Sequence, residues 1–322
     1  GSGETLDKVA NVFFNLLGSN TNDEMDALAM EMSPKLSAHN DAILLNKTLF
    51  KRIENLHDNR QSMNLSVEQN RLLEETYKRF IRSGANLDQG SMERLTQINS
   101  ALSSLSVRFD QNVLKETNSF SMVVENEEDL DGLPDEEIRQ ASLLAESEGQ
   151  NGKWVFKPTR VSMYPFLTYS TKRDLREELY KSYIQRGDND NSLDNKEIIA
   201  EMVALRKEKA AMMGFESHSD YVLDNTMAKT PDNVNKLLQT IWNPGVEKAK
   251  GEVQAMQRLI SDEGGNFKLA AWDWWHYSEK LRQEQFDFKE EEVKPYFSEE
   301  KVLKGAFDVA NKLFDITFTE RN

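Results

Sequence analysis

The 322-residue sequence contains no cysteine and only four histidines. Without cysteine the chain has no disulfide, no thiolate zinc site and no cysteine nucleophile, and the redox compartment is left open. A zinc-binding H-E-x-x-H helix requires two histidines four residues apart, and this motif does not occur in the sequence. We therefore assign no catalytic residue and no metal ligand from the sequence.

Glycine and proline are also scarce, with 15 and 7 residues, and no apolar run reaches the ~18 residues of a membrane span. This composition predicts a soluble and mainly helical protein, of the cytoplasm or the periplasm. The first residues lack an initiator methionine and resemble a cloning remnant, so we expect the natural N-terminus to lie upstream. The 40 basic and 55 acidic residues make nucleic acid an unfavourable partner.

Helical periodicity dominates the chain. Apolar residues recur three or four positions apart between residues 94 and 114, and similar stripes cover 43–56 and 72–81. The fold class predicted from these stripes is all-α, with long antiparallel helices joined by short turns. The first stripe consists of Leu95, Ile98, Leu102, Leu105, Phe109 and Val113.

Two passages interrupt the helical pattern. Residues 116–138 contain nine acidic residues and no basic one, which indicates either a cation or partner surface or, as we favour, a solvated connector before a helix that starts near Pro134. Residues 152–170 are β-like, so a short β segment is expected near 153–169. The predicted organisation is a helical segment 1–150, a connector 151–170 and a second helical segment 171–322.

Helix boundaries in the second segment follow from capping residues. Gly214 is placed to end one helix in a left-handed conformation. Thr230 and Pro231 are typical of an N-cap and a first helical position, and Ser298 caps the last clear helix. Pro244 is expected to kink or break the helix in which it lies.

Three local groups of polar residues are candidates for chemistry. His276 and Glu279 are three residues apart and supply half of a metal ligand pair, although a histidine packed at a helix surface is the more common outcome. Ser217, His218 and Asp220 have the composition of a catalytic triad, but neighbouring residues cannot adopt the triad geometry and a helix start explains them better. Residues 188–199 suggest a calcium loop but lack its glycine and its final glutamate.

Several passages, in order, resemble the thimet-oligopeptidase-like zinc metallopeptidases, most of all the bacterial peptidyl-dipeptidases (dipeptidyl carboxypeptidases). The resemblance covers most of the chain, and its specificity lies in the ordered series rather than in one motif. The matching passages include "LLEETYKRFIRSGANL" (72–87), "RLTQINSALSSLSVRFDQNVL" (94–114), "DNKEIIAEMVALRKEKAAMMGF" (194–215) and "AWDWWHYSEKLR" (271–282).

The resemblance implies a helical, two-lobed enzyme with a deep channel for short peptides and one zinc ion, held by an H-E-x-x-H helix and a later glutamate. Peptidyl-dipeptidases release dipeptides from the free C-terminus of their substrates. The zinc-binding half of the family is absent from these residues. We therefore expect the chain to be a non-catalytic N-terminal and middle portion, part of one lobe, whose partner is the missing C-terminal half. A complete helical scaffold that binds peptides or proteins without catalysis is the alternative.

The tryptophan-rich passage at 271–282 is the most distinctive of the series. Asp273 is expected to cap a helix, and Trp274, Tyr277 and Leu281 then lie on its inward face. Trp272 precedes the helix as a candidate hydrophobic staple. On the resemblance, Trp274, His276 and Tyr277 are candidates for lining the peptide channel.

Overall fold

A computed structural model describes residues 3–286 and 290–320. In these residues helices account for nearly all of the regular structure, so the predicted all-α fold class is confirmed. The helices before the first strand are α1 Glu4–Ser19, α2 Asp23–Leu44, α3 Lys47–Asp58, α4 Val67–Arg82 and α5 Gln89–Ser119.

A single pair of strands, β1 Met122–Val124 and β2 Trp154–Phe156, forms the sheet of the described chain, with α6 Asp135–Ser147 between them in sequence. The helices that follow are α7 Arg160–Tyr169, α8 Arg173–Ile184, α9 Lys196–Met212, α10 His218–Leu223, α11 Pro231–Asp262, α12 Trp274–Phe286, α13 Glu290–Val293 and α14 Glu299–Phe314. Short 3₁₀ turns occupy Arg60–Ser62, Glu127–Leu130, Ala271–Asp273 and Lys294–Tyr296.

The chain divides into two compact units, neither of which is continuous in sequence. Unit 1 consists of Gly1–Met122, Phe156–Thr159 and Lys181–Gly245. Unit 2 consists of Val123–Val155, Arg160–Tyr180 and Val246–Asn322. The predicted segments 1–150, 151–170 and 171–322 stay a prediction.

Unit 1 is built around α5, which packs against α2 and α9. Leu95, Ile98 and Leu105 of the predicted stripe are buried, as helical spacing requires. Helices α3 and α4 pack together through a cluster that contains Phe50 and Phe80. The stripe on α4 is less complete than predicted, because 69% of the Leu72 side chain is exposed.

The β-like passage was predicted correctly only at its beginning. Strand β2 ends at Phe156, and residues 160–169 form α7 instead of extended chain. Met163, Phe166 and Leu167 are buried and lie three and four residues apart, so their spacing also fits one face of a helix. Pro165 lies inside this helix.

Most predicted helix ends are confirmed. Pro134 directly precedes α6, whose first turn is acidic, and Gly214 has a φ of 80°. The Thr230 hydroxyl accepts a hydrogen bond from the Asn233 N–H at 3.3 Å, directly before α11. Helix α11 does not break at Pro244, because it runs through this residue as one helix of 32 residues. The alternative prediction of a kink there stays a prediction. Among the described residues, no helix is both long and apolar enough to cross a membrane.

Candidate functional site

The tryptophan-rich passage lies in unit 2, where a 3₁₀ turn leads into α12. The turn closes on Ala270, whose carbonyl accepts from the Asp273 N–H at 3.1 Å. The Asp273 carboxylate in turn accepts from the Ala270 N–H, also at 3.1 Å. Asp273 thus immediately precedes α12 as predicted, but its carboxylate is directed back to the turn instead of capping the helix.

The Asp273 carboxylate is fully buried and binds two arginines of α8. Arg173 donates to it from Nε and Nη2 at 3.0–3.1 Å, and Arg176 donates from Nη2 at 2.9 Å. Arg176 is itself 1% exposed and donates a further hydrogen bond to the Ser170 carbonyl at 2.7 Å. A buried carboxylate requires such charged partners, because an unpaired charge in the interior is very costly.

Aromatic rings surround this ion-pair group. The Arg173 guanidinium lies over the Phe267 ring, 4.3 Å from its centroid, and 5.4 Å from that of Trp272. Trp275 stacks on Tyr164 at 5.5 Å between centroids. Phe267 and Trp272 therefore cover part of the Arg173 guanidinium, although the Arg173 side chain remains 34% exposed.

Two of the three predicted lining residues are buried. His276 and Tyr277 are each 6% exposed, and Tyr277 forms a core cluster with Met256 and Ile260 of α11. Trp274 and Leu281 pack against the same cluster, so the predicted inward face of α12 is confirmed. The edge of Trp274 also lines a groove of ≈ 490 Å³ between α11 and α12.

His276 is held as a neutral imidazole. Its Nδ1 lies 3.2 Å from the Thr168 carbonyl oxygen. Burial, followed by the nearby charges of Arg176 and Lys280, lowers the pKa of His276 to about 4. A neutral imidazole beside two cations packs and accepts or donates one hydrogen bond, and it carries no charge at neutral pH.

Zinc, which the resemblance implies for the family, does not fit the side chains that the structure describes. In residues 3–286 and 290–320, no three histidine, aspartate or glutamate side chains are grouped so that they could hold a metal ion. Glu279, the proposed partner of His276, instead binds Arg282 at 2.6 and 2.7 Å and accepts from Gln283. No chemical step is therefore assigned to zinc on these residues.

The other two candidates of the sequence have structural roles. The Ser217 hydroxyl accepts from the Asp220 N–H at 3.1 Å and donates to the Asp220 carboxylate at 2.6 Å, which makes it the N-cap of α10. In the loop that resembles a calcium site, the Lys196 ammonium binds three carboxylates at 2.7–2.8 Å. The three are Asp188, Asp190 and Asp194.

Sequence reasoning missed Arg173 and Arg176 as part of this site. Their spacing of three residues places both on one side of α8, and this was a usable signal. Their common partner, Asp273, is about 100 residues away in the sequence, and no local pattern connects them.

Comparison with known proteins identifies the class to which this helical chain is related. The sequence model of Peptidase family M3 matches residues 166–322, which include α8 and the whole tryptophan-rich passage. Residues 166–322 are thus similar to Peptidase family M3, which confirms the resemblance predicted from the sequence.

Individual relatives extend the likeness over the rest of the chain. The sequence is 33% identical to "Dipeptidyl carboxypeptidase" of Escherichia coli over 321 residues, 99% of this chain and 47% of that protein. It is 32% identical to "Oligopeptidase A" of Haemophilus influenzae over 292 residues, 89% of this chain and 43% of the relative. The chain spans about half the length of the curated relatives it matches.

Proposed function

We propose that this chain is the non-catalytic N-terminal portion of a zinc metallopeptidase of the peptidyl-dipeptidase type. The whole enzyme would release dipeptides from the C-terminus of short peptides. The observation that carries the proposal is the 33% identity to dipeptidyl carboxypeptidase over 99% of this chain. Among the described residues, no cluster of three or more donor side chains could hold a metal ion. In this proposal, zinc and the catalytic residues therefore belong to the other half of the enzyme.

The partner proposed for this chain is that other half. Helix α11 exposes a row of large apolar side chains to water. Soluble monomeric proteins rarely expose large apolar patches unless another surface covers them. Leu237, Ile241 and Trp242 of this row are 62–70% exposed. Helix α14 likewise exposes Leu313 and Phe314, at 68% and 69%. Both rows are surfaces that a further part of the enzyme would bury.

Of the three residues predicted to line the peptide channel, Trp274 is proposed to line it, and His276 and Tyr277, each 6% exposed, are proposed to support its wall. Trp274 supports this role directly, because it already borders the groove between α11 and α12. His276 and Tyr277 support it from behind, by holding α12 against α7 and α11. In this proposal the ion pair of Asp273 with Arg176 positions the channel wall and takes no part in chemistry.

The test compares the chain alone with the chain extended by the rest of its reading frame. We expect the chain alone to bind no stoichiometric zinc, measured by mass spectrometry of the metal, and to release no dipeptide from an N-blocked tetrapeptide. The extended protein should do both, and 1,10-phenanthroline should stop the release. Chelator-sensitive hydrolysis by the 322-residue chain alone would refute the proposal. An extended frame that ends without an H-E-x-x-H would favour the scaffold instead.

A further inference from the structure

Unit 1 contains a cleft of ≈ 510 Å³ that is lined by residues of α2, α5 and α9, among others. Asp41 of α2 and Lys209 of α9 bring opposite charges to it, and Asn99 of α5 lies between them. The Asn99 amide donates to the two Asp41 oxygens at 2.9 and 3.1 Å, and its carbonyl accepts from Lys209 Nζ at 2.7 Å. The two charges are therefore connected through a neutral amide.

Each of these charges retains unused binding capacity. Asp41 is 7% exposed, yet in the described part of the chain Asn99 is its only side-chain donor. Lys209 has three N–H groups, and Asn99 accepts from one. Burial raises the pKa of the Asp41 carboxyl and lowers that of the Lys209 ammonium, although each charge opposes the shift of the other. A positive group beside Asp41 together with a negative group beside Lys209 would stabilise both ionised forms.

Five serines line the cleft, and within the described part of the chain their hydroxyls have no hydrogen-bond partner. Hydroxyls in helices commonly donate to the carbonyl four residues earlier, as Thr96 and Thr117 of α5 do. The five serines of the cleft make no such bond to any residue of the two described ranges, 3–286 and 290–320. One of them, Ser33, is 7% exposed and lines the cleft. The five are Ser33, Ser37, Ser83, Ser103 and Ser106.

We propose that this cleft binds a small zwitterion, an amino acid or a dipeptide, with its amino group at Asp41 and its carboxylate at Lys209. An anion would pair with Lys209 alone, a cation would pair with Asp41 alone, and a neutral polyol would add no charge beside either group. The serine hydroxyls supply hydrogen bonds to the polar body of the ligand. Leu36 and Leu102 supply an apolar wall for its side chain.

This site goes beyond the proposed peptidase function. All of its residues belong to unit 1, and it requires neither zinc nor the other half of the enzyme. Its test therefore succeeds or fails independently of peptidase activity.

The first test uses the unmodified 322-residue chain and isothermal titration calorimetry. The probes are the dipeptide Ala-Leu, N-acetyl-Ala-Leu, Ala-Leu-amide and glycerol. We expect Ala-Leu to bind, each blocked dipeptide to bind at least about tenfold more weakly because one charge is lost, and glycerol not to bind. Equal affinity for the blocked dipeptides, or no heat of binding from Ala-Leu at millimolar concentration, would overturn the proposal.

The second test assigns each charge of the ligand to its residue. Asp41→Asn should abolish the preference for a free amino group, so that this variant binds Ala-Leu no better than N-acetyl-Ala-Leu. Lys209→Gln should abolish the preference for a free carboxylate in the same way. Lys207→Gln, an exposed change on the same helix, is the matched control and should bind like the unmodified chain. Variants that keep both preferences would overturn the proposal. If a variant fails to fold, the titrations of the unmodified chain with the four probes still test the proposal.

Discussion

Arg176 and Asp273, 97 residues apart in the sequence, form an ion pair that is almost completely buried, with 2.9 Å between Nη2 and Oδ1. This pair ties α8 to the turn that starts α12, so it determines where the tryptophan-rich passage lies within unit 2. Removing Asp273 would leave Arg176 as an uncompensated charge in the interior, which is far costlier than the loss of one hydrogen bond. Removing Arg176 would leave Asp273 with Arg173 as its remaining cationic partner.

Replacement of that arginine tests its structural importance. Arg176→Met keeps most of the side-chain volume but removes the charge and its hydrogen bonds to Asp273 and Ser170. Because Arg173 still binds Asp273, we expect the free energy of unfolding to fall by about 1–3 kcal/mol in urea denaturation. Arg139→Met is the control, because Arg139 forms an exposed ion pair with Glu136 within one helix. The control should change stability far less. Equal effects of the two changes would contradict the structural role.

A pH dependence follows from His276. Its folded pKa of about 4 lies below the ordinary value of 6.5, so as the pH falls between these values the unfolded chain gains a proton that the folded chain does not accept. The contribution of His276 to stability is complete above pH 6.5 and is lost as the pH falls towards 4.

The corresponding measurement compares unfolding at pH 8 and pH 5. Between these values the unmodified chain should lose about 2 kcal/mol more of its free energy of unfolding than His276→Gln. His39→Gln serves as the control, because His39 is an exposed histidine and its replacement alters no buried group. A His276→Gln variant with the same pH dependence as the unmodified chain would show that the imidazole titrates normally.

Two glycines predict opposite effects of adding a methyl group. Gly187 has a φ of 75°, and a Cβ there would lie 2.8 Å from Asn195 Nδ2, so Gly187→Ala should destabilise by about 1–3 kcal/mol. Gly251 lies inside α11 with no atom within 4 Å of an added Cβ, so Gly251→Ala should stabilise by about 0.5–1 kcal/mol. Thermal melting of both variants checks the signs. Destabilisation by Gly251→Ala would mean that the groove beside it is filled.

The exposed apolar row of α11 predicts self-association of the isolated chain. Ile241→Ser and Trp242→Ser together should lower the sedimentation coefficient at high concentration, because 63% and 70% of these side chains face water. The thermal unfolding transition should be unchanged, since neither residue is buried. Met256→Ser, at a buried position of the same helix, should instead destabilise by about 2–5 kcal/mol. A monomeric unmodified chain at all concentrations would contradict the proposed interface.

Local chemistry alone was sufficient for much of the fold. The stripe from Leu95 to Leu105, the acidic helix start after Pro134 and the cap at Thr230 all depend on neighbours within about one or two helical turns. Neighbouring residues in the sequence are sufficient to predict such features, and the structure confirms them. The passage 160–169 was predicted wrongly because short apolar runs fit a strand and a helix almost equally well, and packing of Met163, Phe166 and Leu167 decided for the helix.

The sequence by itself determined the helical class, the inward face of α12 and the likeness to zinc metallopeptidases. Only the tertiary structure decided that Asp273 binds Arg173 and Arg176 instead of capping its helix, and that Asp41, Asn99 and Lys209 meet in one cleft. The physical reason is the range of the interactions. Helix propensity and capping act over a few residues, whereas a buried charge requires a partner that folding alone brings near.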